Sequence, residues 1–185
     1  YTGLPHSVVS NERRWLSPRV QAWMPLQPSI TQTLNQQWLS FVLPIGAVPG
    51  DGRQPITLGV QIRGTDTRSG TPPALFFASI DQFIDAHEAC LPGTPCRRVV
   101  ILLATDDARY LNMTLALYGK RVATQNGGNI QRAEGAGGVW ESPVSNALSL
   151  GDEGVMYTML LSQAHYLRRA QSAASDLATW YNPLL

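Results

Sequence analysis

The stretch GVQIRGTDTR (Gly59–Arg68), with VVILLATDD (Val99–Asp107) further along the chain, decides how the fold is read. In the first, an apolar run from Ile56 to Ile62 empties into a polar turn carrying Arg63, Thr65 and Asp66. In the second, Val99 to Leu103 empties into Thr105, Asp106 and Asp107. Two apolar runs that each end in charged residues are what an open α/β sheet needs, because its ligands sit outside the carboxyl ends of its strands. Arg63 is the central candidate, since a permanently charged, planar fork suits a phosphate or carboxylate. It can also simply pair with Asp66. Asp106 and Asp107 have two readings as well, as helix N-caps or as ligand-binding groups. A metal role for that pair finds no further carboxylate or histidine placed to join it.

Working outward, alternating patterns fill the chain. Residues 1–28, rich in Trp, Arg and Pro, read as an arm or linker with a short helix around Arg19 to Met24. From Ser29, a plausible N-cap, Ile30, Leu34 and Trp38 recur at helical spacing. Pro44 to Pro55 is rich in breakers and reads as a loop. After the strand Ile56–Ile62 and a polar loop, Phe76, Phe77, Ile80, Phe83, Ile84 and His87 predict a helix over Ala74–Ala89 with one buried face. A strand over Arg98–Ala104 precedes a helix capped by Asp106 or Asp107, running through Leu117 and stopped by Gly119. A third strand spans Arg121–Thr124, and the glycine-rich stretch Gly127–Gly138 reads as a loop. Asp152 opens a helix through about His165, Tyr166–Ala170 is a short strand, and Ser172 caps a last helix toward Tyr181. Such alternation predicts an α/β fold over residues 29–185, a Rossmann-like parallel sheet flanked by helices.

The bulk numbers set bounds. With 185 residues and 44% hydrophobic content the chain can bury one sizeable core. A formal net charge of +1, without long basic or acidic runs, makes no electrostatic case for nucleic acid or an anionic membrane surface. No apolar window approaches a membrane span. A first residue of Tyr1 reads as a processed product or a fragment. His87 and His165 lie on predicted helices and read as packing residues.

Cys90 and Cys96 enclose LPGTP, a short loop that can bring the sulfurs together. A disulfide there implies an oxidising compartment, and two free thiols are the alternative. Asn112-Met113-Thr114 is an N-glycosylation acceptor pattern. Both signals point to the secretory pathway, in the Golgi lumen or outside the cell.

Four motifs in fixed order resemble the fucosyltransferase superfamily, above all the α1,6-fucosyltransferases: QIRGTD (Gln61–Asp66), LATDD (Leu103–Asp107), LLSQAHYL (Leu160–Leu167) and QSAASDLA (Gln171–Ala178). The upstream stretch RRWLSPRVQAWMPLQPSITQTLNQQ is similar to the helical segment before the first motif, so the resemblance covers most of residues 13 to 182. It implies one lobe of a GT-B glycosyltransferase, the nucleotide-sugar half, with the amino-terminal lobe or other subunits as partners. It implies that Arg63 holds the diphosphate of GDP-fucose, with Thr65 and Asp66 in the same motif. Thr105, Asp106 and Asp107 would help bind the nucleotide, and Ser172 would meet a phosphate at a helix start. The implied reaction is inverting transfer of fucose to a glycan hydroxyl, without a metal or other cofactor.

Several motif positions are substituted. The family's histidine is Gln61, its second arginine Gly64, and the second serine of its late turn Ala173. A following lysine and glutamate are Thr67 and Thr71, and a helix aspartate is Tyr157. Two functions therefore stand: a GDP-fucose-binding transferase, and a non-catalytic descendant kept as a structural or interaction module of a larger assembly.

Overall fold

The computed structural model describes residues 16–46, 55–62, 72–88, 97–124, 154–169 and 173–182. In chain order they form α1 (16–23), α2 (Pro28–Gln37), a π-helical turn (Trp38–Val42), α3 (Leu43–Gly46), β1 (Ile56–Ile62), α4 (Pro73–Glu88), β2 (Val99–Thr105), α5 (Ala108–Tyr118), β3 (Val122–Thr124), α6 (154–162), β4 (Tyr166–Arg169) and α7 (Ala173–Tyr181). The four strands are parallel, in the order β3-β2-β1-β4. This is the α/β fold that the alternating patterns predict.

The sheet is covered on both faces, which explains the near-continuous apolar runs of its central strands. Register sets Ile56 opposite Val99, Leu58 opposite Ile101 and Val60 opposite Leu103. Leu58, Val60, Ile62, Val99, Ile101 and Leu103 pack with Phe76, Phe77, Ile80 and Phe83 of α4 and Leu111 of α5. The intervening side chains face the other way. There Val100 and Leu102 meet Leu34 of α2 and Met156, Met159 and Leu160 of α6, while Ala104 meets Leu161 and Ala178 of α7. Each fully buried aliphatic side chain contributes about 1.5–3 kcal/mol, and the two apolar layers thereby fix which way every strand faces.

Gly59 lies on the second face, where α6 approaches closely. A Cβ at this position would come within 3.1 Å of Leu161 and Leu167 and 3.2 Å of Ala164. A second close fit joins β1 to the turn after α6: the Thr57 amide donates to His165 Nδ1 (3.1 Å), and the His165 amide donates to the Thr57 carbonyl (3.0 Å). Partial desolvation, with Arg97 nearby, holds the His165 imidazole below its ordinary pKa. His87 instead stacks on Phe83 at 3.9 Å, beside Tyr166.

Three expectations are corrected. The helix assigned to Ser29 starts one residue earlier, with Gln27 as N-cap and no side-chain cap bond. Pro28 takes the first helical position, where its missing N–H costs nothing. Pro44 to Gly46, expected as the start of a loop, are helical, with Pro44 in the first turn of α3 after the π-helical turn, and residues 47–54 of that stretch lie outside the described residues. Residue 162 ends α6, short of His165. Its last turn tightens through Gln163 and Ala164 amides donating three residues back, and Asn182 Nδ2 caps the Ser162 carbonyl at 2.8 Å. The glycine-rich stretch, Asp152 and the cysteine loop with Cys90 and Cys96 lie outside the described residues. Helix α1 is tied to α7, since Gln21 Nε2 donates to the Tyr181 carbonyl at 3.0 Å and the Tyr181 hydroxyl donates to the Met24 carbonyl. Among the described residues no helix is long and apolar enough to cross a membrane.

Two predictions follow from this packing. Gly59→Val should lower stability by about 1–3 kcal/mol in urea unfolding, because its added carbons must displace Leu161, Leu167 or Ala164; an unchanged midpoint would show that α6 yields freely. The lowered His165 pKa means that the unfolded chain binds the extra proton first as pH falls. Stability from this group is therefore complete above the unfolded value of about 6.5 and is lost progressively below it. His165→Asn, whose Oδ1 can accept the same Thr57 bond without titrating, should flatten that part of the melting-temperature profile between pH 7.5 and 5.

Candidate functional site

Chain order and sheet order together locate the candidate site. From β1 the chain moves outward to β2 and then β3, and it later returns to β4 on the other side of β1. The helices that follow these two strands, α4 after β1 and α7 after β4, pack on opposite faces of the sheet, which makes β1 and β4 the switch point at which doubly wound sheets hold ligands. Arg63 follows Ile62, the last residue of β1, directly in sequence. On the other flank, β4 ends at Arg169 and α7 begins at Ala173. Arg63, Thr65, Asp66 and Ser172 themselves lie outside the described residues.

The end of β2 is fully described. Thr105 is buried and its Oγ1 accepts from the Asp107 amide at 3.2 Å, which closes the turn. Asp107 is wholly buried and is the N-cap of α5, its Oδ1 accepting from the Arg109 amide at 2.8 Å. Its carboxylate also takes a forked pair from Arg109, Nε at 3.1 Å and Nη2 at 2.6 Å. That hydrogen bond, before the Coulombic attraction, pushes the Arg109 pKa up from its already high value. Asp106 is half-buried beside it. The expected helix stop also stands: Gly119 follows Tyr118 with φ 53°, a left-handed conformation that favours glycine.

Across the sheet, residues paired in register share a face. Gln61 pairs with Ala104 of β2 on one side and Arg169 of β4 on the other, so the three form the last row on the α6–α7 face. Tyr157 packs below that row with Leu161, Leu167 and Ala178. Arg169 Nη1 donates to Ser175 Oγ at 3.2 Å and forms an ion pair with Asp176, both in the first turn of α7. No motif marked Arg169 in the sequence. Its signal was two consecutive arginines closing a strand, Arg168 outward and Arg169 toward α7.

The fold has counterparts among solved structures. The crystal structure of NodZ α1,6-fucosyltransferase co-crystallized with GDP superposes with a TM-score of 0.52 at 15% identity, over 96% of this chain and 59% of that one. The same enzyme soaked with GDP-fucose gives a TM-score of 0.51 at 16% identity, over 97% of this chain and 60% of that one. The fold is fucosyltransferase-like. The parallel sheet with helices on both faces matches one lobe of a GT-B-like architecture, and the chain spans about three-fifths of the length of these neighbours. No protein-family model matches the chain, and no curated protein matches it in sequence.

Among the described residues, no three His, Cys, Asp or Glu side chains converge as a metal site would require. Asn112 is exposed on α5, while Thr114 of the same triplet is buried, its hydroxyl donating to the Tyr110 carbonyl at 2.7 Å.

The cap at Asp107 can be separated from its ion pair. Asp107→Asn, which retains an N-cap acceptor, should cost less than Asp107→Ala, for which lost capping alone amounts to about 0.5–2 kcal/mol. Equal destabilisation of the two variants in thermal unfolding would mean that charge, not capping, carries the turn.

Proposed function

We propose that this chain is a nucleotide-sugar-binding lobe that takes GDP-fucose at the carboxyl edge of its sheet, between β1 and β4. The observation that carries this reading is topological. The switch point of the sheet falls at the strand that runs directly into Arg63, in a fold like that of NodZ α1,6-fucosyltransferase. Arg63 would hold the diphosphate as a bidentate fork, with Thr65 and Asp66 shaping the turn. Thr105 and Asp106 at the end of β2 would border the nucleotide, Asp107 would act mainly through the turn it caps, and Ser172 would meet a phosphate where the chain enters α7.

In the transfer reaction this reading implies, an acceptor hydroxyl oxygen of a glycan forms a bond to the anomeric carbon of fucose as the carbon–oxygen bond to GDP breaks, and the hydroxyl proton passes to a base outside the residues assigned here. The electron pair of that bond leaves with the diphosphate, and a fixed cation such as Arg63 stabilises it most as departure proceeds. No metal is assigned a part. The remaining length of the NodZ-like fold, on this polypeptide or a partner, would complete the acceptor cleft. We assign the secretory pathway as the compartment, with the cysteine loop as a disulfide and Asn112 as a glycan acceptor.

A second reading is favoured by one observation. Asp107, the buried carboxylate at the edge, is committed to capping α5 and to Arg109. Together with Gln61 and Gly64 in the first motif, this commitment suits a lobe that keeps the fold as a structural or interaction module without transferring sugar.

Calorimetric titration with GDP-fucose separates the two. The binding lobe should show micromolar affinity that Arg63→Ala weakens at least tenfold, about the worth of one charge-assisted phosphate contact. A folded sample that takes up no GDP-fucose would leave the structural module standing.

A further inference from the structure

Arg169 ends β4 on the α6–α7 face, opposite Gln61 and at the strand pair where the connections diverge. Strand ends that carry a half-buried arginine are rarely neutral in their consequences, because the guanidinium must be matched by something. Here Ser175 and Asp176 match one part of it. Both bonds come from Nη1, and among the described residues Arg169 makes no hydrogen bond from Nε or Nη2. Ser175 is fully buried, so the partner that holds Nη1 is itself fixed by packing. The ion pair therefore works as an anchor: it sets the direction of the fork and leaves one edge of it with donors to spare. A guanidinium edge of this kind matches two oxygens of a phosphate.

Its surroundings favour an anion. The first turn of α7 lies beside it, with amide groups directed toward the carboxyl edge of the sheet. Gln61 is uncharged, and Arg168 is registered against Val60 on the other face of the sheet, so Arg169 is the described cation of β4 on this face. Asp176 is the one described carboxylate bonded to Arg169, and it would repel an incoming phosphate even as it orients the arginine.

We infer that Arg169 is an anion-binding residue of this chain, presenting the Nε–Nη2 edge of its guanidinium to a phosphate group at the carboxyl end of β4 while Asp176 holds the other edge. This rests on the nucleotide-sugar reading above for the identity of the ligand, but not for the geometry. It supplies a second fixed cation on the flank of the crevice opposite the β1 exit. The diphosphate would then be gripped from both strands that border the switch point.

Arg169 and Asp176 form one ion pair, so a purely structural role requires that breaking it from either side do the same thing. An anion-binding role requires opposite signs. Inorganic pyrophosphate and GDP would each be titrated calorimetrically into the full chain and into the variants Arg169→Ala and Asp176→Asn, with circular dichroism confirming that both remain folded. Arg169→Ala should weaken pyrophosphate binding about tenfold or more. Asp176→Asn keeps an acceptor for Nη1 and removes the competing charge, so binding should tighten about two- to fivefold, most clearly at low salt. Pyrophosphate binding with this pattern but no response to GDP would uphold Arg169 and sink the guanine-nucleotide reading. Loss of affinity in both variants, equal affinity in all three proteins, or no pyrophosphate binding by the unaltered chain would overturn the inference. Should Arg169→Ala fail to fold, Arg169→Lys serves: it keeps the charge and the Asp176 contact but not the fork, and unchanged affinity there would equally overturn it.

Discussion

Everything in this fold depends on the pairing of β1 with β2, seven residues against seven, buried on both faces. Neither strand has a solvent side, so neither can carry polar side chains along its length without a partner for each. Thr57 shows the condition being met, with its amide, carbonyl and hydroxyl all engaged by His165. Charge is thereby expelled to the strand ends. At the end of β2 the polar side chains Thr105 and Asp107 stay buried by bonding to one another's turn and to α5. The candidate site is the outward consequence of an unusually dry centre, since a ligand-binding edge and a two-sided core are imposed by the same apolar runs.

How much of this was legible follows from the range of the interactions involved. Strand β1 is bounded correctly because burial on both faces leaves a near-continuous apolar run, and α4 begins one residue before the expected Ala74 because its aromatic residues fix the helical period but not its first turn. The Asp107 cap and the Gly119 stop are local chemistry, readable from neighbours in sequence. Strand β2 was placed one residue early because Thr105 is polar, yet its hydroxyl is satisfied by the Asp107 amide two residues on, which lets it stay in the strand. Ser29 has the chemistry of a cap, but Pro28 before it suits the first helical turn and moves the start of α2 one residue earlier.

Long-range contacts were not legible. His165 was placed on a helix, but it belongs to the turn that clasps Thr57, 108 residues away in sequence. Nothing in the LLSQAHYL motif announces that partner. Arg169 was similarly invisible as a site residue. Its significance lies in being registered against Gln61 and tethered to Asp176, and both facts require knowing that β4 returns to the far side of β1. The resemblance to fucosyltransferases guided the fold well because fold is carried by the order of motifs and the spacing of apolar runs. Individual charged positions are carried by neither.

The two described ion pairs at the carboxyl edge show how one residue type serves different ends there. Asp107 is completely buried and meets Arg109 on the same helix turn, with Arg109 extending into solvent. The carboxylate is the fixed member, its backbone bond to α5 sets the geometry, and the arginine shields it. At β4 the order is reversed. Arg169 is the less exposed partner and Asp176 the more exposed one. A buried carboxylate with an exposed arginine completes a helix start, and its forked bonds occupy the Nε–Nη2 edge of that guanidinium. An anchored arginine with a solvent-facing carboxylate leaves fixed positive charge at the edge. The same pair of residue types thus fixes a carboxylate at the end of β2 and a guanidinium at the end of β4.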